Sequence, residues 1–244
     1  MISLLLIKLV LYSLIGFIIA SFVHELGHLC ISLICKWEFS LLIIGPLRLE
    51  RDDKTKKIIP CFERNLQYWG GVSSAIPKDK KYATLIIWKL ILIFGPLTSL
   101  IFSIMLFPLF VATKSYFLLL LIAQSFGMGL ICILPLPIRT GILFTDGCRF
   151  WKLISNGTGR QEEETLFNLS IMEVFSDNIN LSYVKSIIKP LLTSNDSYYR
   201  YYANYYLYKI SEGEDNTSES NKYLNEINNL SDKVPKHIRV QFPT

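Results

Sequence analysis

Several kinds of residue are scarce in these 244 amino acids, and each scarcity excludes something. Histidine occurs three times, as His24, His28 and His237. The five cysteines (Cys30, Cys35, Cys61, Cys132 and Cys148) are odd in number and lack the paired spacing of a zinc ribbon. That excludes a disulfide framework and leaves them as small apolar residues. Charge is missing over long stretches. Lys8 is the only charged residue in positions 1–23, and 85–135 is nearly as bare. A soluble domain would interrupt its apolar runs more often than this chain does, at 51% hydrophobic residues and a mean hydropathy of +0.35. No small-x-small cleavage site follows the first apolar stretch, which also outruns the ~7–15 residues of a secretory signal core. It is expected to be a retained span. No nucleic-acid partner is expected.

The charges that are present sit in two blocks, 36–84 and 150–244. This pattern predicts a membrane domain over 1–155 followed by a soluble domain over 156–244. Three spans are expected, at about 2–35, 84–112 and 116–135. At 1.5 Å per residue the first would be about 50 Å long, well beyond the ~30 Å hydrocarbon core. Residues 36–83 carry ten Lys/Arg together with the preceding boundary: Lys36, Arg48, Arg51, Lys54, Lys56, Lys57, Arg64, Lys78, Lys80 and Lys81. By the positive-inside rule this loop is cytoplasmic, and the C-terminal domain with it. Within the loop, 39–49 reads as a strand, Asp52-Asp53-Lys54 as a turn and 57–62 as a returning strand. The fold class is therefore mainly α: a polytopic membrane protein with three core transmembrane helices, a short membrane-associated β-hairpin loop and a C-terminal soluble helical domain.

His24-Glu25-Leu26-Gly27-His28 lies inside the first span. Histidines four apart on a helix share a face and can bind one zinc ion, and the glutamate between them is placed to take a proton from water. Such groups are expensive in a span, which argues for a wet, protein-lined cavity around them. Two ligands leave a third to be found. Asp146, before Gly147, is a candidate, although an Asp-Gly pair also serves as a turn or helix N-cap. Cys148 and Cys132 are rivals, and His237 sits in a polar C-terminal region. In the second span, Gly95-Pro96 reads either as a packing kink or as the face that meets the histidine helix. Gln124 in the third span is expected to hydrogen-bond a neighbouring helix.

Residues 162–175, 181–192, 196–211 and 218–230 are candidate helices, with Asp196 among the N-caps and Gly213 at a C-cap. The third is dense in tyrosine. A tetratricopeptide-like pair comes to mind, but no 34-residue period repeats. The domain reads as a small aromatic-cored helical cap, with a surface for docking a protein partner as the alternative.

Taken together, the His-Glu-Leu-Gly-His motif in the first span, Asp146-Gly147 after the third, Gly95-Pro96 in the second and the Gly70-Gly71 loop resemble the site-2 protease family of intramembrane zinc metallopeptidases. The resemblance covers about residues 1–155. It implies one Zn²⁺ held by His24, His28 and Asp146, with Glu25 as general base. Cys132 and Ser99 stand where the family carries asparagines, so the oxyanion or substrate-binding partner is unassigned. Gly70 and Gly71, or an edge strand of the loop, are candidates to hold an unwound substrate by β-addition. The expected substrate is a membrane-embedded or membrane-associated protein or small peptide precursor, in regulated proteolysis or in the processing of a signalling peptide or bacteriocin. The bilayer, that of a bacterial cell, is the other partner. The alternative is a non-proteolytic membrane protein with a structural zinc site, acting through its C-terminal domain. A transporter lacks the expected span count and inverted repeat.

Overall fold

The computed structural model describes residues 2–52, 54–140, 143–175 and 181–235. His237 and its surroundings lie outside the described residues. By its internal contacts the chain divides into one unit of residues 1–136 with 146–150, and another of 137–145 with 151–244.

The first unit is built on three helices: α1 (Ile2–Ile34), α2 (Leu85–Thr113) and α3 (Tyr116–Ile133). All three are long and apolar enough to cross a membrane. Their ends follow from local chemistry. Lys36 turns the chain out of α1 with a left-handed backbone, φ 65°. The Thr84 side chain caps α2 by accepting from the Ile87 N–H. Lys114, also left-handed, and Ser115 form the whole connection to α3. α3 stops at Ile133, slightly short of the expected 135. Leu134 precedes a proline and is forced into extended backbone, φ −75° and ψ 152°.

Most of α1 from Leu6 to Ile19 is exposed apolar surface, whereas Ala20, Ser21, His24, Glu25, Gly27, His28 and Leu29 are buried. The change marks where α2 packs closely. A side chain added at Gly27 would strike Thr98 and the Phe94 carbonyl. On the other side, Gln124 of α3 donates to the Ser13 carbonyl of α1 at 2.9 Å, the neighbouring-helix bond expected of it.

Between α1 and α2 lies a four-stranded antiparallel sheet of order β3-β2-β1-β4: β1 (Trp37–Ile44), β2 (Leu47–Arg51), β3 (Ile58–Phe62) and β4 (Val72–Pro77). The expected hairpin is β2–β3, with Asp52 accepting from Thr55 N–H in its turn. Two features extend it. Residues 39–49 are not one strand, because Gly45 (φ 53°) and Pro46 reverse the chain between β1 and β2. Beyond Gly71, the chain returns as β4 and pairs with β1, Ser73 opposite Leu42. Leu42, Ile44 and Ala75 pack on Leu29 of α1, fixing one face of the sheet to the histidine helix.

The second unit holds a two-stranded ladder, β5 (Arg139–Thr140) with β6 (Leu143–Phe144). α4 (Asp146–Ile154) begins in the first unit and ends in the second, which continues with α5 (Thr158–Phe175), α6 (Leu181–Ile187), α7 (Lys189–Leu192), α8 (Ser197–Gly213) and α9 (Thr217–Leu230). Asp196 caps α8 by accepting from Tyr198 N–H, as its position suggested. Gly213 is the last residue of α8 rather than a residue beyond it, and Asp215 takes the left-handed turn, φ 56°. The core gathers Leu169, Val184, Ile188, Leu191 and Leu207 around Tyr199, Tyr201, Tyr206 and Tyr208.

Candidate metal centre and its carboxylate

His24 and His28 lie one turn apart on α1 and both are buried. Their Nδ1 atoms are occupied. That of His28 is 2.6 Å from the Ile91 carbonyl, and that of His24 is 3.1 Å from Ser99 Oγ. A carbonyl only accepts, so His28 carries a proton on Nδ1, which leaves Nε2 as the nitrogen that can ligate a metal. Donation from His24 to Ser99 has the same effect. The two Nε2 atoms stand 3.3 Å apart.

The His28 ring can reach this place because residue 95 is glycine. A Cβ there would collide with the imidazole. Of the two readings of Gly95-Pro96, the structure takes the second, a face that meets the histidine helix.

Asp146 arrives from the far side of the sequence. It opens α4, and Gly147 behind it lies so close to the Cys132 carbonyl and Ile133 that a side chain would not fit. Arg149, one turn on, sits over the Trp88 ring of α2 at 5.2 Å, and Trp88 stacks on Trp37. So anchored, Asp146 places Oδ2 at 3.3 Å from each Nε2. The bland alternative for this Asp-Gly pair does not describe its side chain. Thr145, not Asp146, holds the cap position, and the carboxylate faces the histidines.

Two imidazole Nε2 atoms and a carboxylate oxygen thus stand at the corners of a 3.3 Å triangle. A tetrahedral zinc with bonds of about 2.0–2.1 Å to nitrogen and oxygen separates its ligand atoms by about 3.3–3.4 Å. The residues therefore fit such an ion. Among the described residues, His24, His28 and Asp146 form the one group of three that could hold a metal, and neither Cys132 nor Cys148 belongs to it.

Glu25 lies beside the triangle, buried on the same helix. Its Oε2 accepts from Ser73 Oγ of β4 at 2.5 Å. Its Oε1 faces Gly71, where an added Cβ would come within 2.8 Å. Of the two glycines singled out in the loop, Gly71 thus meets Glu25, while Gly70 is exposed and its added Cβ would face Phe17 at 3.9 Å. Ser73 carries no signal in the sequence. Ser99 was visible only as a departure from a family pattern, and here it touches His24.

The sequence model of peptidase family M50 matches residues 12–197. The chain belongs to peptidase family M50. The family comprises the site-2 proteases, which are membrane zinc metalloproteases, and this member has the three apolar helices and the His-His-Asp group in keeping with it. The M50 match begins within α1 and ends at the start of α8, so it reaches about 40 residues beyond the stretch carrying the resemblance. Among curated proteins and among solved structures, nothing matches.

Proposed function

We propose that this M50 member is an intramembrane zinc endopeptidase, with His24, His28 and Asp146 as ligands and Glu25 as general base. The observation that carries the reading is the 3.3 Å triangle of His24 Nε2, His28 Nε2 and Asp146 Oδ2 with a buried carboxylate next to it. Zinc held there would supply Lewis-acid polarisation of the scissile carbonyl and would acidify water to a pKa of about 7. The protein does the rest. Ser99 and the Ile91 carbonyl hold both imidazoles in the ligating tautomer. Glu25 accepts the proton of the attacking water and delivers it to the leaving amine. β4 pairs on one side only, leaving an edge beside Glu25 to which an unwound peptide can add as a strand, with Gly70 and Gly71 giving its backbone room.

The substrate in this reading is a membrane-embedded or membrane-associated protein or peptide precursor. Residues 1–155 carry the chemistry, and 156–244 form a C-terminal helical cap. The ten basic residues of the loop support a cytoplasmic location for the loop and the C-terminal domain in a bacterial cell membrane. The test compares membrane peptides from cells carrying wild type with those carrying Glu25→Gln. A fragment found with wild type alone, at equal zinc content, supports the reading. Identical peptide profiles refute it.

A further inference from the structure

The Ser73 hydroxyl stands on β4, outside every motif that marks the metal centre, yet it makes the one hydrogen bond of the Glu25 side chain among the described residues. Glu25 is only 8% exposed, so water cannot replace that bond freely. At 2.5 Å the contact is a short, direct hydroxyl–carboxylate hydrogen bond. Ser73 donates, Oε2 accepts, and Oε1 is left for proton transfer. Beside Oε1 stands Gly71, whose missing side chain keeps that oxygen uncovered.

The placement of Ser73 follows from the match between helix and strand. Four residues of α1 rise about 6 Å and two residues of a strand about 6.6 Å, so Glu25 and Leu29 can meet Ser73 and Ala75 in step. Ala75 does pack in the cluster around Leu29. Pairing of Ser73 with Leu42, itself buried in that cluster, prevents β4 from sliding along the helix. The carboxylate is therefore oriented by a sheet with its own reasons to stay in register.

We infer that Ser73 is a positioning residue for Glu25: it fixes Oε2 and so aims Oε1 at the reacting bond. The inference rests on the proposed protease function. If it holds, losing the hydroxyl slows turnover without weakening substrate or zinc binding. A purely structural bond between β4 and α1 would instead change stability, KM or metal content.

The full chain is purified in detergent with zinc. Fluorescein-labelled casein, an unfolded polypeptide, serves as probe. Wild type, Glu25→Gln, Ser73→Ala and the near-isosteric pair Ser73→Thr and Ser73→Val are compared for kcat, KM, zinc stoichiometry and thermal unfolding. The expected result is a kcat at least tenfold lower for Ser73→Ala and Ser73→Val, with KM within twofold, zinc unchanged and most of kcat kept by Ser73→Thr. The Thr/Val pair keeps the test decisive if the alanine variant fails to fold. Equal kcat for Thr and Val, or a loss that appears in KM or zinc content, overturns the inference while wild-type cleavage upholds the protease. Casein cleavage no greater for wild type than for Glu25→Gln overturns both together.

Discussion

In the helical unit a set of buried polar groups pairs off, and in the membrane unit another set converges. Glu163, wholly buried, accepts from the Tyr199 hydroxyl at 2.8 Å. Ser194 donates to Glu162 at 2.6 Å, and Lys152 reaches the same carboxylate at 3.3 Å. Arg139 pairs with Asp196 while its guanidinium lies over Phe144 at 3.9 Å and Tyr198 at 4.3 Å. Each of these donors has an acceptor. Where a group lacks a counter-charge, its own chemistry adjusts: burial pushes the Glu173 carboxyl above its ordinary pKa. In the membrane unit each Nδ1 is engaged at the back of its imidazole, by Ile91 or Ser99, and the two Nε2 atoms and Asp146 Oδ2 face one another. Paired polarity holds a fold together. Convergent polarity of one sign leaves something for a cation to complete.

That contrast can be broken from either side. The largest effect is expected at the centre. Asp146→Asn removes the one anionic ligand, and we expect bound zinc, measured per chain by elemental analysis, to fall from one to near zero with cleavage lost alongside. Next comes Gly95→Ala, whose methyl would collide with the His28 ring. Helix content by circular dichroism should persist while zinc stoichiometry drops severalfold. If zinc stays bound, the close approach of α2 does not position His28.

In the helical unit Arg139→Ala should lower stability by about 2 kcal/mol, the scale of a charge-assisted hydrogen bond. It would read as a lower unfolding midpoint with zinc content untouched. A loss of zinc would show that the two kinds of polarity are not independent. The smallest effect belongs to Gly213→Ala at the end of α8, where an added Cβ meets nothing within 4 Å. A gain of about 0.4–1 kcal/mol is expected from reduced freedom of the unfolded chain. A destabilised variant would show a constraint on that helix end that its surroundings do not reveal.

What could be read in advance was mostly what is local. The histidines and Glu25 announce themselves because a helix repeats every 3.6 residues and places i and i+4 on one face. The three spans follow from length and apolarity, and the cap at Asp196 from its side-chain chemistry. The remainder depends on distant partners. Ser99 acts on a histidine 75 positions away and Ser73 on a glutamate 48 positions away, and nothing near either residue hints at this. β4 escapes notice because Ser73 and Ser74 dilute its apolar pattern. The break at Gly45-Pro46 is hidden by apolar residues on both sides. Asp146 is an intermediate case, since chemistry demanded a third ligand but left cysteines as rivals until the fold brought the carboxylate in.

The 122 positions between His24 and Asp146 also impose an order of events in time. A chain halted anywhere between His28 and Asp146 already owns both histidines and the glutamate, yet the triangle has no third corner. The cluster closes only after the third helix and the turn behind it have been made. On the proposed reading an unfinished copy would lack a ligand, and the site would come into being as one of the later acts of assembly.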